Sequence, residues 1–191
     1  GFAHNGVALG DDCMTLSIGF RAPSCSELLA GWCDDRLAEL GDDDRYTDPE
    51  LAAQTNPGEI SAEALAKLHA MVTEKLGDRN AFARWFGEHS SARTYPEIDW
   101  SPEEPVREAD LRAELAAGAI LLRNPASRFA FVRGDAGKVL LFVDGECFDC
   151  AEKEAVMAER ICAEDQIAAA AVQDGALGLI ATLINRGSLA L

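Results

Sequence analysis

The sequence predicts an α+β chain in three parts: the closing strands of a β-domain over residues 1–22, a helical domain over 23–101, and a winged-helix-like domain over 102–191. Three observations carry this expectation. Residues 13–20 alternate large apolar with small side chains, apolar positions recur at helical spacing between Ala22 and Glu88, and a proline-rich break is followed by helix, strand, paired strands and helices.

In the first part Met14, Leu16, Ile18 and Phe20 share one face, while Cys13, Thr15, Ser17 and Gly19 share the other. A strand of that kind fills the space between layers with its large side chains and lines a cavity with its small polar ones. One strand cannot bury its own apolar face, so the rest of this β-domain is expected upstream. An opening of Gly1-Phe-Ala-His without an initiator Met reads as an internal start.

The period changes at Ala22. Pro23 and Ser24 offer a helix start, and Leu28, Leu29, Trp32, Leu37 and Leu40 recur until Gly41. Asp42 to Asp44 and Asp48-Pro49 form a turn-rich break. A second helix is expected over Ser61–Leu76, with Leu65, Leu68, Val72 and Leu76 on one side, and a third over Arg79–Glu88, with Phe82, Trp85 and Phe86. The aromatic side chains form either the core of this domain or an oligomer interface. Pro96, Pro102 and Pro105 then mark residues 94–106 as an extended linker, with a boundary near Ser101.

Beyond it the expected order is a helix over Arg107–Ala117, strands over Ala119–Leu122 and Arg128–Arg133, and a hairpin partner over Lys138–Val143. Gly134-Asp-Ala-Gly137 joins the hairpin. Helices over Ala151–Ile161 and Ala163–Arg186 close the chain. That order resembles a winged-helix topology.

Composition removes several function classes. The chain has 191 residues, 48% of them hydrophobic, enough for a real core. Seventeen basic against 33 acidic residues give a formal charge of −16, so the summed field repels phosphate backbones and anionic membranes. The apolar runs Val139 to Val143 and Ile167 to Val172 fall far short of the roughly 20 residues that cross a bilayer. Neither nucleic acid nor a membrane is an expected partner. Six cysteines lie among helical and strand patterns, which points to free thiols and a reducing cytoplasm.

Few residues suggest chemistry by themselves. His4 precedes an Asn5-Gly6 turn that would present its imidazole at the mouth of a β-fold, but a metal centre needs more donors. His69 and His89 fall in helical segments and read as solvated or packed side chains. Cys147-Phe-Asp-Cys150 has a spacing that suits zinc or thiol redox chemistry, yet no second pair accompanies it. The run Asp42 to Asp44 lacks the alternating ligands of a calcium loop. No phosphate-cradling loop and no Gly-x-Ser-x-Gly elbow is present.

Five segments taken in order go further: Gly1-Phe-Ala-His-Asn-Gly-Val-Ala, Ser17-Ile-Gly-Phe-Arg-Ala-Pro23, Glu27-Leu-Leu-Ala-Gly-Trp32, Tyr46-Thr-Asp-Pro49 and Arg84-Trp-Phe-Gly-Glu88. Together they resemble the C-terminal half of bacterial ribosomal oxygenases. These are JmjC-type enzymes of the cupin (jelly-roll) fold that depend on Fe(II) and 2-oxoglutarate; bacterial members hydroxylate an arginine of the large-subunit ribosomal protein L-sixteen. The resemblance implies that residues 1–22 end the cupin domain and that His4 is the distal ligand of a His-x-Asp…His iron triad. It further implies that Thr15 lines the 2-oxoglutarate pocket, that residues 23–101 form a homodimer, and that the tail is a winged-helix domain. The His-x-Asp pair has no counterpart in this chain, so the chain alone is expected to be inactive. The competing reading is a non-catalytic dimerisation scaffold whose winged-helix-like tail binds another protein.

Overall fold

The computed structural model describes Val7, Asp12 and residues 22–41, 45–49 and 55–191. The expected strand over residues 13–20 and the run Asp42 to Asp44 lie outside the described residues.

Helix α1 spans Cys25–Glu39. Ser24 Oγ accepts from the Glu27 amide at 3.2 Å while the Glu27 carboxylate accepts from the Ser24 amide at 2.8 Å, a reciprocal cap that satisfies two otherwise orphaned donors. Helix α2 covers Ala62–Leu76 and is capped by Ser61, whose Oγ accepts from the Ala64 amide at 3.1 Å. Helix α3 covers Arg79–Ser91, with the Asp78 carboxylate accepting from the amides of Asn80 and Ala81. These starts agree with the sequence to within one residue, because each has a side-chain oxygen placed to cap.

Trp32, Phe82, Trp85 and Phe86 pack on one another between α1 and α3, with centroid separations of 5.4 to 6.3 Å. Trp32 and Trp85 are buried within the chain, and Trp32 Nε1 donates to the Leu76 carbonyl at 3.1 Å. The helices meet closely at Gly31, where a Cβ would sit 2.8 Å from the Trp85 ring. Of the two readings of these aromatics, the structure places the tryptophans in a core. In contrast, α2 buries none of its residues, and Leu37 of α1 with Leu65 and Val72 of α2 are all about 60% exposed.

The C-terminal part opens with helix α4 (Glu108–Ala116) and strand β1 (Ile120–Arg123). Strands β2 (Phe129–Arg133), β3 (Val139–Val143) and β4 (Glu146–Cys150) follow as an antiparallel meander. Then come helix α5 (Glu152–Ala163), strand β5 (Gln166–Ala168), helix α6 (Leu177–Asn185) and strand β6 (Leu189–Ala190). Strand β1 is the centre of a second antiparallel sheet, ordered β5-β1-β6, with Leu121 opposite Ile167 and Arg123 opposite Leu189. Leu111, Leu121, Leu141, Ile161, Ile167, Leu177, Ile180 and Leu183 form the buried centre between the sheets and α4, α5 and α6.

Three parts of this region differ from expectation. Strand β4 was not anticipated, although Asp144-Gly145 between two apolar runs signals a two-residue hairpin. Both residues take positive φ, 54° and 89°, the requirement of a type I′ turn, and the ladder pairs Val143 with Glu146. The helix expected over Ala163–Arg186 is a helix only over its last turns. Its alanine-rich first half forms β5 and two short 3-10 turns (Ala169–Ala171 and Asp174–Ala176), because pairing with β1 buries Ile167 opposite Leu121, and tertiary pairing outweighs alanine's helix propensity. Strand β6, only two residues long, carried no pattern to read.

The meander is covered on both faces. From one side Gly87 of α3 approaches Phe142, and from the other α5 packs Met157, Ala158 and Ile161 toward the core.

Candidate functional site

The principal cleft of the described residues, about 890 Å³, lies where α1 and α3 meet the meander. Asp78 and Asp149 stand near its walls, and Arg84 bridges it by donating to both oxygens of Asp149 at 2.8 and 2.9 Å. Hydrogen bonding to Asp149 holds the Arg84 guanidinium above its ordinary value. Arg36 donates to Asp35 and, at 2.7 Å, to Glu39, and its guanidinium lies 4.4 Å from the Trp32 ring centre. Six carboxylates and four cations line the cleft, so it repeats the acidic balance of the chain. Its cations are committed to these carboxylates at Arg36 and Arg84, and to Glu159 at Arg133. Such paired charge fixes geometry and offers no nucleophile–base couple.

A second groove, about 560 Å³, runs between α1 and α2 and is apolar along Cys33, Leu37, Leu40, Met71, Val72 and Leu76.

The two cysteines of the Cys-x-x-Cys pair do not converge. Cys147 and Cys150 are three apart on β4, which turns them to opposite faces of the sheet. Burial pushes the Cys150 thiol up to about 12 and that of Cys162 up to about 11, and burial likewise raises Cys147. Burial thus favours the thiol over the thiolate, the nucleophilic form, at these positions. His89 stacks on Trp85 at 5.4 Å, and His69 lies exposed on α2. Among the described residues no group of three His, Cys, Asp or Glu side chains comes together to hold a metal ion. His4 and Thr15, the residues expected to touch metal and 2-oxoglutarate, lie outside the described residues. Among the described residues no helix is long and apolar enough to cross a membrane.

Two ion pairs that organise the cleft and its far side, Arg84 with Asp149 and Arg93 with Asp144, had no sequence signal beyond residue type. Asp144 alone could have been singled out, from the Asp-Gly turn.

Comparison with known proteins gives consistent findings. A family described as ROXA-like winged helix matches residues 74–190. The chain is 31% identical over 192 residues to the ribosomal protein uL16 3-hydroxylase of Escherichia coli (strain K12), an alignment that takes in 98% of this chain and 49% of that protein. Among solved structures the fold is similar to that of the E. coli ribosomal oxygenase YcfD, with a TM-score of 0.74 and 25% identity over 91% of this chain and 47% of that one. Its complex with cobalt and 2-oxoglutarate gives 0.73 and 25% over 91% and 47%, and that with cobalt and succinic acid 0.72 and 27% over 90% and 47%. The chain spans about half the length of these relatives.

Proposed function

The chain belongs to the ROXA-like winged helix family, and from that premise we propose that it is part of an Fe(II)- and 2-oxoglutarate-dependent oxygenase acting on an arginine of a large-subunit ribosomal protein. The observation that carries this reading is the alignment with a ribosomal protein hydroxylase along 98% of the chain. The cobalt complexes of YcfD with 2-oxoglutarate and succinic acid support the choice of cofactor and cosubstrate.

Within this reading residues 1–22 end a JmjC-type cupin domain, 23–101 form a helical homodimerisation domain, and 102–191 form the winged-helix domain. His4 is one iron ligand and Thr15 a 2-oxoglutarate contact. The described residues do not by themselves fit an iron centre, and no step of the reaction runs through them. The exposed apolar face of α1 and α2 supports the dimer. A formal charge of −16 suits a basic ribosomal partner, whose approach it would accelerate, and a cytoplasmic enzyme meets that partner where ribosomes work.

The test is the mass of the ribosomal protein after incubation with Fe(II), 2-oxoglutarate and the complete polypeptide that carries this chain. A gain of one oxygen atom on an arginine is expected. An unchanged mass, with the polypeptide folded and metal-loaded, rejects the reading. It would favour the non-catalytic scaffold, for which the open α1–α2 groove also speaks.

A further inference from the structure

The segment between α3 and α4 has the composition of an extended linker, and four consecutive residues of the α6–β6 corner hold it. Asn185 accepts from the Val106 amide at 2.7 Å and donates to the Val106 carbonyl at 3.0 Å. The Arg186 carbonyl accepts from Arg93 Nη2 at 3.1 Å. Gly187, at φ +68°, lies so close to the Trp100 backbone that a Cβ would be 2.3 Å from its carbonyl carbon. Ser188 Oγ accepts from Arg93 at 3.4 Å and donates to Asp144 at 2.7 Å.

Arg93 is the fixed point at the near end. Its guanidinium reaches Asp144 at 2.8 Å and Ser127 at 3.3 Å, and the two ion-paired side chains are only 14% and 11% exposed. Asp144 also accepts from the Arg128 amide at 2.9 Å, while Arg128 Nη2 donates to Thr94 at 2.7 Å. Strand β6 itself has two residues, too few to stay paired on β1 by ladder bonds alone.

We propose that residues 93–106 form a strap, locked by Arg93, that clamps the α6–β6 corner and so keeps β6 docked. Released, the strap frees β6 while the centre of the core stays folded, because Leu141, Ile161 and Ile180 are fully buried among β3, α5 and α6.

Hydrogen–deuterium exchange on the whole chain tests this with Arg93→Met, with Asn185→Ala, which removes both hydrogen bonds to Val106, and with the exposed control Lys138→Met. Either strap variant should raise exchange at residues 94–106 and 187–190 by at least about tenfold, leaving β3 and α5 within about twofold of the parent. Lys138→Met should change neither. If Arg93→Met does not fold, Asn185→Ala decides alone. Unchanged protection of 187–190 in the folded variants overturns the proposal. So does an equal rise in β3 and α5, which would mean global loosening, or free exchange of the strap in the parent.

Discussion

Gly87 of α3 lies against the face of Phe142 so closely that an added Cβ would fall 2.3 Å from the ring. Phe142 has no exposed surface and sits in the centre of β3, between α3 and the rest of the sheet, so the ring has nowhere to go. Two effects oppose each other in Gly87→Ala. Alanine gains about 1 kcal/mol of helix propensity, whereas overpacking a closed core costs about 1–3 kcal/mol. Because the ring is fully enclosed, overpacking wins. Gly87→Ala is expected to lower stability by up to roughly 2 kcal/mol and Gly87→Val by more, measured by urea unfolding.

Asp144 predicts an acid-side loss of stability. Burial opposes its ionisation, but hydrogen bonds from Arg93, Ser188 and the Arg128 amide prevail and hold the carboxyl below its ordinary value. A group depressed in the folded state stabilises above its unfolded value of about 4 and loses that contribution as pH falls through the folded one. Thermal midpoints should therefore fall more steeply below about pH 4 in the parent than in Asp144→Asn. The asparagine variant should be less stable at pH 7, where it leaves Arg93 without a charged partner.

The thiols predict the opposite sign. Burial raises Cys150 to about 12 and Cys162 to about 11, so the folded state keeps protons that the unfolded chain releases. Their contribution is complete below the ordinary thiol value of about 8.5 and is lost as pH rises beyond it. At pH 8, alkylation with iodoacetamide should modify exposed Cys25 and leave Cys150 and Cys162 at least about tenfold slower in the folded chain. Cys147→Ser/Cys150→Ser should not alter zinc content.

The start of α1 was legible because Pro23 and Ser24 are a local signal, and the structure shows Ser24, Ser61 and Asp78 capping the three helices. The Ala163–Arg186 stretch misled for the complementary reason, since its fate depends on a long-range pairing of Ile167 with Leu121 that composition does not record. Prolines and charges mark residues 94–106 as an extended linker, but composition does not record that Arg93, Trp100 and Val106 are held by Asp144 and by Asn185 to Gly187. At the site, spacing offered only a solitary histidine, and the family resemblance alone gave His4 and Thr15 roles. No periodicity could assemble an iron centre from donors the chain does not contain.

The apolar face of α1 and α2 makes the proposed dimer testable without disturbing the fold. Leu37 and Val72 are 63% and 59% exposed, so Leu37→Glu and Val72→Glu should change monomer stability by no more than about 0.5 kcal/mol. Sedimentation should show a dimer for the parent and a monomer for the double variant. A parent that sediments as a monomer at high micromolar concentration removes the dimer.

In the proposed oxygenase His4 ligates the iron. That role is tested most directly by hydroxylation of the ribosomal protein by the complete polypeptide with and without His4→Ala, alongside metal content. Loss of an outer-shell partner of a metal ligand already costs about 10–100-fold, so loss of a direct ligand should lower hydroxylation by at least about 100-fold and weaken metal retention with it. A His4→Ala variant that hydroxylates the ribosomal protein and holds iron as the parent does would contradict the account.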